Sequence, residues 1–359
     1  MSFASAMTRP WLSSPPHAAA ASEPSSTPVA ALTIYPRVGD PRPSDVTPRG
    51  PGLLLMGGGA TVDPAFVWMH DVITGKHGVR GGDVVVLTAA YGDVYTGYLM
   101  KVAPFNSVRS IMVGPQATRA DLAKAASYVD EAQGLFFTGG DQADYVKWKG
   151  SPLIAAVQHL YDRGGVVGGT SAGLAILGEY VFDSVADDAQ SDADVQTPDA
   201  VANPAESTIS FTHALLDFPP LRRTITDSHL VVRNRVGRTM VFLARLQALT
   251  PDPILGIGIN AGTAIVIDPH GIGTLMLEHR QGEALLLRLT QKTPIVAGKP
   301  FEAHGIRVTL LDRDGQRVNF TTWCASAPTF LVNVDGAKPP YYSPNPYVAP
   351  LDATIPSCR

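Results

Sequence analysis

The chain has 359 residues, of which 45% are hydrophobic and 17% charged, with a formal net charge of −4. That is enough apolar material for one large core, and the lack of a long basic run argues against nucleic acid or a membrane surface as partner. No stretch approaches the roughly 20 apolar residues of a membrane span, and the start of the chain lacks the layout of a signal peptide, so a soluble protein is expected, with export left open.

Residues 1–50 are rich in Ala, Ser and Pro, with Ser13-Ser14-Pro15-Pro16 as an example. Such a segment buries too little apolar surface to offset its ordering entropy, and it reads as disordered or leader-like. Order is expected from about Leu53. Short apolar runs at 53–56, 84–87, 110–113, 134–137 and 165–168 alternate with helical patterns at 64–73, 118–131 and 153–163. Continuous apolar strands between amphipathic helices predict a three-layer, doubly wound α/β domain whose mainly parallel sheet is covered on both faces, over residues 51–270. Ligands of such folds bind at the carboxyl ends of the strands.

Residues 183–207 read as a long loop and 235–249 as a helix. From 264 onward strands dominate, so 271–359 reads as a β-rich extension with a Pro-rich surface tail at 338–350, packed on the same domain. The two cysteines, Cys324 and Cys358, fit neither a zinc site nor a CxxC motif. A disulfide and two separate thiols both remain open. No histidine spacing suggests a metal, and Val62 stands where a dinucleotide fingerprint needs a small residue, so no cofactor is expected.

Gly169-Thr170-Ser171-Ala172-Gly173 follows the fifth strand and precedes helix formers. Strand, sharp turn and helix are the setting of a nucleophile elbow, with Ser171 as nucleophile and the Ala172 amide as an oxyanion donor. The same string also suits a tight turn that merely joins strand to helix. Gly139-Gly140-Asp141-Gln142 follows the neighbouring strand, where Gly140 would supply a second oxyanion donor and Gln142 a substrate contact. The alternative there is a helix start capped by Asp141. His229 stands out among nine histidines because Asp227 and Ser228 precede it and Arg233, Arg235 and Arg238 follow. As the base for Ser171, beside arginines that fork onto carboxylates, it would suit an acidic substrate. An exposed basic helix face is the competing account of those arginines.

Together, Leu55-Met56-Gly57-Gly58-Gly59, Phe137-Thr138-Gly139-Gly140-Asp141-Gln142, Gly168-Gly169-Thr170-Ser171-Ala172-Gly173 and Asp227-Ser228-His229 resemble peptidase family S51, and within it the cyanophycinase branch. The resemblance implies a class I glutamine amidotransferase-like fold with serine in place of cysteine. It implies a serine exopeptidase acting on aspartyl peptides, such as cyanophycin, a polyaspartate with arginine on its side chains. It also implies a substrate pocket made of Gln142, Asp227, Ser228, Arg233, Arg235 and Arg238. An acidic peptide is therefore the expected partner, and a homodimer is left open.

Two positions depart from the family pattern. Ser228 stands where cyanophycinase has Gln. Gly258-Ile259-Asn260-Ala261 stands where members commonly read Gly-Ile-Asp-Glu, so the acid that orients the histidine is absent from its usual place. Glu179, at helical spacing from Ser171, and Asp187 and Asp188 in the long loop are the candidate replacements. The competing functions are a catalytically weakened relative that binds peptides and a serine hydrolase of another amide or ester.

Overall fold

In the computed structural model the described residues are 30–183, 185, 195–351 and 353. The first half runs Leu32–Ile34 (β1), Val38–Gly39 (β2), Gly52–Met56 (β3), Asp63–Thr74 (α1), Asp83–Thr88 (β4), Thr96–Val102 (α2), Ser107–Val113 (β5), Arg119–Glu131 (α3), Gly134–Phe137 (β6), Gln142–Val146 (α4), Pro152–Asp162 (α5), Val166–Thr170 (β7) and Ala172–Ala175 (α6). The second half runs Tyr180–Phe182 (β8), Thr197–Ala202 (α7), Phe211–His213 (β9), Thr224–Ser228 (β10), Val236–Gln247 (α8), Leu255–Ile259 (β11), Thr263–Ile267 (β12), Ile272–Leu277 (β13), Ala284–Arg288 (β14), Glu302–Leu311 (β15), Arg317–Asn319 (β16), Cys324–Ala325 (β17), Thr329–Asp335 (β18) and Tyr342–Ser343 (β19).

Five strands form the parallel heart of the first sheet, in the order β5-β4-β6-β7-β3, with β1 and β12 antiparallel at its flanks. Each reads as an apolar run because both of its faces are covered. Leu54, Met56, Val84 and Val86 pack with Phe66, Met69 and Ile73 of α1. Leu53, Leu55, Val85 and Leu87 pack on the opposite face with Leu122 and Val129 of α3 and Leu153, Val157 and Leu160 of α5. Both helices start on caps: Thr118 and Asp121 form a reciprocal capping box, and Ser151 caps α5 ahead of Pro152.

The α/β architecture is as expected, and its limits are corrected. Order begins before Leu53: β1 and β2 pair with β5, because Leu32-Thr33-Ile34 offers β-forming residues to an otherwise open edge. Residues 1–29 lie outside the described residues.

The second half adds a second sheet, in the order β19-β18-β15-β14-β11-β10-β8-β9. One of its faces shares the core of α3 and α5 through Leu255, Ile257 and Ile259, and the other packs on α8 through Ile225, Leu285 and Leu287. The C-terminal part is β-rich as expected, and it serves both sheets, since β13 extends the first while β14, β15 and β18 help build the second. The stretch 338–350 is not a bare tail: β19 pairs with β18, and Tyr341, Tyr342 and Tyr347 pack on the second core. Cys324 is disulfide-bonded, while Cys358 lies outside the described residues. Among the described residues no helix is long and apolar enough to cross a membrane.

Candidate active site

The first sheet presents Ser171. Strand β7 turns directly into the four-residue α6, so closely that a Cβ on Gly169 would lie 2.2 Å from the carbonyl oxygen of Gly173. Ser171 holds φ 55°, ψ −119°, a conformation that a non-glycine residue adopts only under strain. Its N–H donates to the Met56 carbonyl at 3.2 Å, and the Gly173 N–H donates to the Thr138 carbonyl at 3.0 Å. The turn is thus tied to β3 on one side and to the end of β6 on the other. Gly139 packs against Ser171, and Gly140 follows with φ 128°. Ala90 and Tyr91, from the loop after β4, wall the other side of Gly140. Asp141 does cap α4, accepting from the Ala143 N–H at 2.9 Å, and Gln142 sits half-buried at its first turn.

The second sheet presents His229. It follows β10 with φ 50°, and its N–H donates to the Gly57 carbonyl at 2.8 Å. Its Nε2 lies 2.8 Å from Ser171 Oγ. The glycine run after β3 explains itself here: a Cβ on Gly58 would stand 2.4 Å from His229 Nε2. Only glycine leaves room for the ring at that place.

Of the six residues expected to line a substrate pocket, four are buried in a support beneath His229. The Arg238 guanidinium forks onto Asp227, Nε to Oδ2 at 2.9 Å and Nη2 to Oδ1 at 2.6 Å. Thr239 Oγ1 donates to the same carboxylate at 2.8 Å, as does the Ser228 N–H at 2.9 Å. Burial by itself pushes the Asp227 carboxyl up, but Arg238, Arg235 and Thr239 outweigh it and hold the group below the usual carboxylate range. Arg238 also donates to the Val195 carbonyl and lies over the Phe182 and Phe242 rings. Arg235 is buried and donates to the Ser228 carbonyl at 3.1 Å. Asp227, Ser228, Arg235 and Arg238 therefore face inward, and neither a pocket wall nor an exposed basic face describes them. Arg233 is exposed on the turn after His229, and with Gln142 it is what remains of the expected pocket.

The candidate acids fare differently. Glu179 Oε1 meets His213 Nε2 at 2.8 Å, and its Oε2 accepts from the Arg223 N–H at 2.5 Å. Arg223 and His229 flank opposite ends of β10, so about 3.3 Å per residue puts Glu179 far from the imidazole. Glu179 is not the acid that orients His229. Asp187 and Asp188 lie outside the described residues.

Two side chains missed by sequence reasoning hold the His229 turn. Asn260 Oδ1 accepts from the N–H groups of Val231 at 3.1 Å and Val232 at 3.2 Å, and its Nδ2 donates to Glu283 Oε1 at 2.7 Å. Burial pushes the Glu283 carboxyl above its ordinary range, against the pull of the Asn260 hydrogen bond. Asn260 was visible only as a departure from the family pattern, and nothing near Glu283 in sequence marks it. Among the described residues no group of three His, Cys, Asp or Glu is placed to hold a metal.

No family model matches the chain. It is 25% identical over 218 residues to the cyanophycinases of Synechococcus elongatus and Thermosynechococcus vestitus, an alignment that covers 59% of this chain and 60% of each relative. The chain thus spans about three-fifths of the length of the curated relatives it matches. Among solved structures, a peptidase from an acI-B1 actinobacterium superposes with a TM-score of 0.43 at 13% identity, covering 76% of this chain and 98% of the other. A putative peptidase E protein from Listeria monocytogenes EGD-e gives 0.35 at 15% identity, covering 60% of this chain and 94% of the other. In sequence, the chain is similar to the cyanophycinases.

Proposed function

We propose that this protein is a serine-type exopeptidase that hydrolyses aspartyl peptides, cyanophycin or a related acidic peptide among them. The observation that carries the reading is the 2.8 Å contact between Ser171 Oγ and His229 Nε2, made by a serine strained at a strand-to-helix turn. In this mechanism His229 Nε2 takes the Ser171 proton as Oγ attacks the peptide carbonyl. The developing oxyanion is held by the Ala172 and Gly140 amides. The imidazolium then gives its proton to the leaving amine, and water repeats the sequence to free the acyl group. Arg233 supplies a carboxylate contact at the mouth and Gln142 an amide contact.

Incubation with a fluorophosphonate should label Ser171, and Ser171→Ala should lose both the label and the turnover of cyanophycin or β-aspartyl dipeptides. The expected fall in kcat is several orders of magnitude. Equal labelling of wild type and Ser171→Ala would overturn the assignment. Ala261, standing where the family pattern carries an acid, favours a second reading: a weakened catalyst that binds acidic peptides. Calorimetric binding of a β-aspartyl peptide by a wild-type protein that neither turns it over nor reacts with the probe would select that reading.

A further inference from the structure

We infer that Glu283, acting through Asn260, is the positioning element for His229. The inference rests on Ser171 and His229 working as nucleophile and base. Asn260 follows β11, beside the end of β10 from which the His229 turn springs. The turn is an unusual one for its residues. His229 at φ 50° and Asn234 at φ 49° are both left-handed, and the Arg233 N–H closes back on the His229 carbonyl at 3.0 Å. A loop of that kind stays in one conformation only where its surroundings over-determine it. Asn260 does so by taking two consecutive N–H groups of the loop on one oxygen.

Asn260 is itself fixed by Glu283. Its N–H donates to the Glu283 carbonyl at 3.0 Å, and its Nδ2 donates to the Glu283 carboxylate at 2.7 Å. The chemistry permits one orientation. Backbone N–H groups only donate, so the amide must turn Oδ1 to Val231 and Val232, which leaves Nδ2 to donate to Glu283. Aspartate at 260 would set one carboxylate against another there. Asn260 is the side chain that matches Glu283, which gives a physical reason for the departure from the Asp-Glu pair of the family pattern. The pair does not touch the reacting atoms. It fixes the loop that aims the imidazole at Ser171.

The test uses the full chain and measures the fluorophosphonate labelling rate of Ser171, the kcat and KM for a β-aspartyl dipeptide, and the His229 imidazole titration by nitrogen-15 NMR. Asn260→Asp and Glu283→Ala should slow labelling and lower kcat by tenfold or more per folded molecule, with KM within about twofold. Glu283→Gln retains an oxygen acceptor and should recover most of that loss. A lowered Tm with labelling rate, kcat and the His229 titration unchanged would show a merely structural role and overturn the inference. Should the wild type resist the probe, the nucleophile reading falls separately. The NMR arm then decides alone: a His229 titration altered in both variants supports positioning, and an unaltered one overturns it.

Discussion

Ser171 and His229 come from different sheets, and the two sheets hold them by different means. Ser171 is placed by backbone: a glycine-lined turn, a strained φ, and N–H groups donated to the carbonyls of Met56 and Thr138. His229 is placed largely by side chains, with the buried Asp227–Arg238 pair below it and the part-buried Asn260–Glu283 pair beside it. Backbone placement fails when a side chain is added. Side-chain placement fails when a partner is removed. The two halves of one site should therefore break under opposite kinds of substitution.

The largest effect on stability is expected from Asp227→Ala. It leaves the Arg238 guanidinium buried without its carboxylate, which typically costs about 3–5 kcal/mol. Chemical denaturation should show this as a fall in unfolding free energy. The folded Asp227 carboxyl lies below its unfolded value, so its contribution is complete above roughly pH 4 and is lost as pH falls through the folded value. Asp227→Asn should accordingly flatten the acid limb of the stability profile. Gly58→Ala tests the opposite failure. The added Cβ, at a residue held at φ 94°, would meet the His229 ring at 2.4 Å and push it off Ser171. Misplacement on that scale costs about a hundredfold in kcat, and Tm should change far less than in Asp227→Ala.

The same contrast explains what the sequence made legible. In the parallel heart of the first sheet each strand is followed by its own helix, so the apolar runs at 134–137 and 84–87 announce themselves, and the turn at Ser171 falls between β7 and α6 as the pattern predicts. The strands of the second sheet come from scattered segments at 180–182, 224–228, 255–259, 284–288 and 302–311, and several neighbours are joined only over long stretches of chain. Period and propensity carry no information about such pairing. Asp227 and Arg238 looked like a substrate site because a bidentate pair has the same composition whether it faces a ligand or another part of the chain. What decides between these is burial, which depends on α8 closing over β10. Glu283 was illegible because its partner, Asn260, is distant along the chain and lies across a strand pair that had not been foreseen.

Arg233 sharpens the comparison at the rim. It is exposed, whereas Arg235 and Arg238 are buried in the support. Arg233→Lys keeps the charge and loses the fork, so it should raise KM by a few tens of fold, or about 2 kcal/mol, while leaving Tm unchanged. Lysine at 235 or 238 should lower Tm first. Michaelis kinetics beside calorimetry would separate the two groups, and an unchanged KM for Arg233→Lys would remove it from the substrate contacts.

The smallest effect is the most informative about the base. Ala261 occupies the position where the family pattern carries an acid, next to the Asn260 that holds the His229 turn, and it is only half-buried. A carboxylate beside a catalytic imidazole fixes its tautomer and stabilises the imidazolium formed when it takes the serine proton. Asn260 and Glu283 fix the loop but place no charge against the ring in the contacts they make. If no carboxylate already orients His229, Ala261→Glu should raise kcat about tenfold, or about 1.4 kcal/mol, and raise the pH at which His229 titrates, since an added negative charge favours the imidazolium. Both changes would be read from a kcat–pH profile of the β-aspartyl dipeptide reaction. The variant should leave KM alone, because position 261 is not among the proposed substrate contacts, Gln142 and Arg233. An unchanged kcat would mean that His229 already has its acid, and the support from the second sheet would then be complete as it stands.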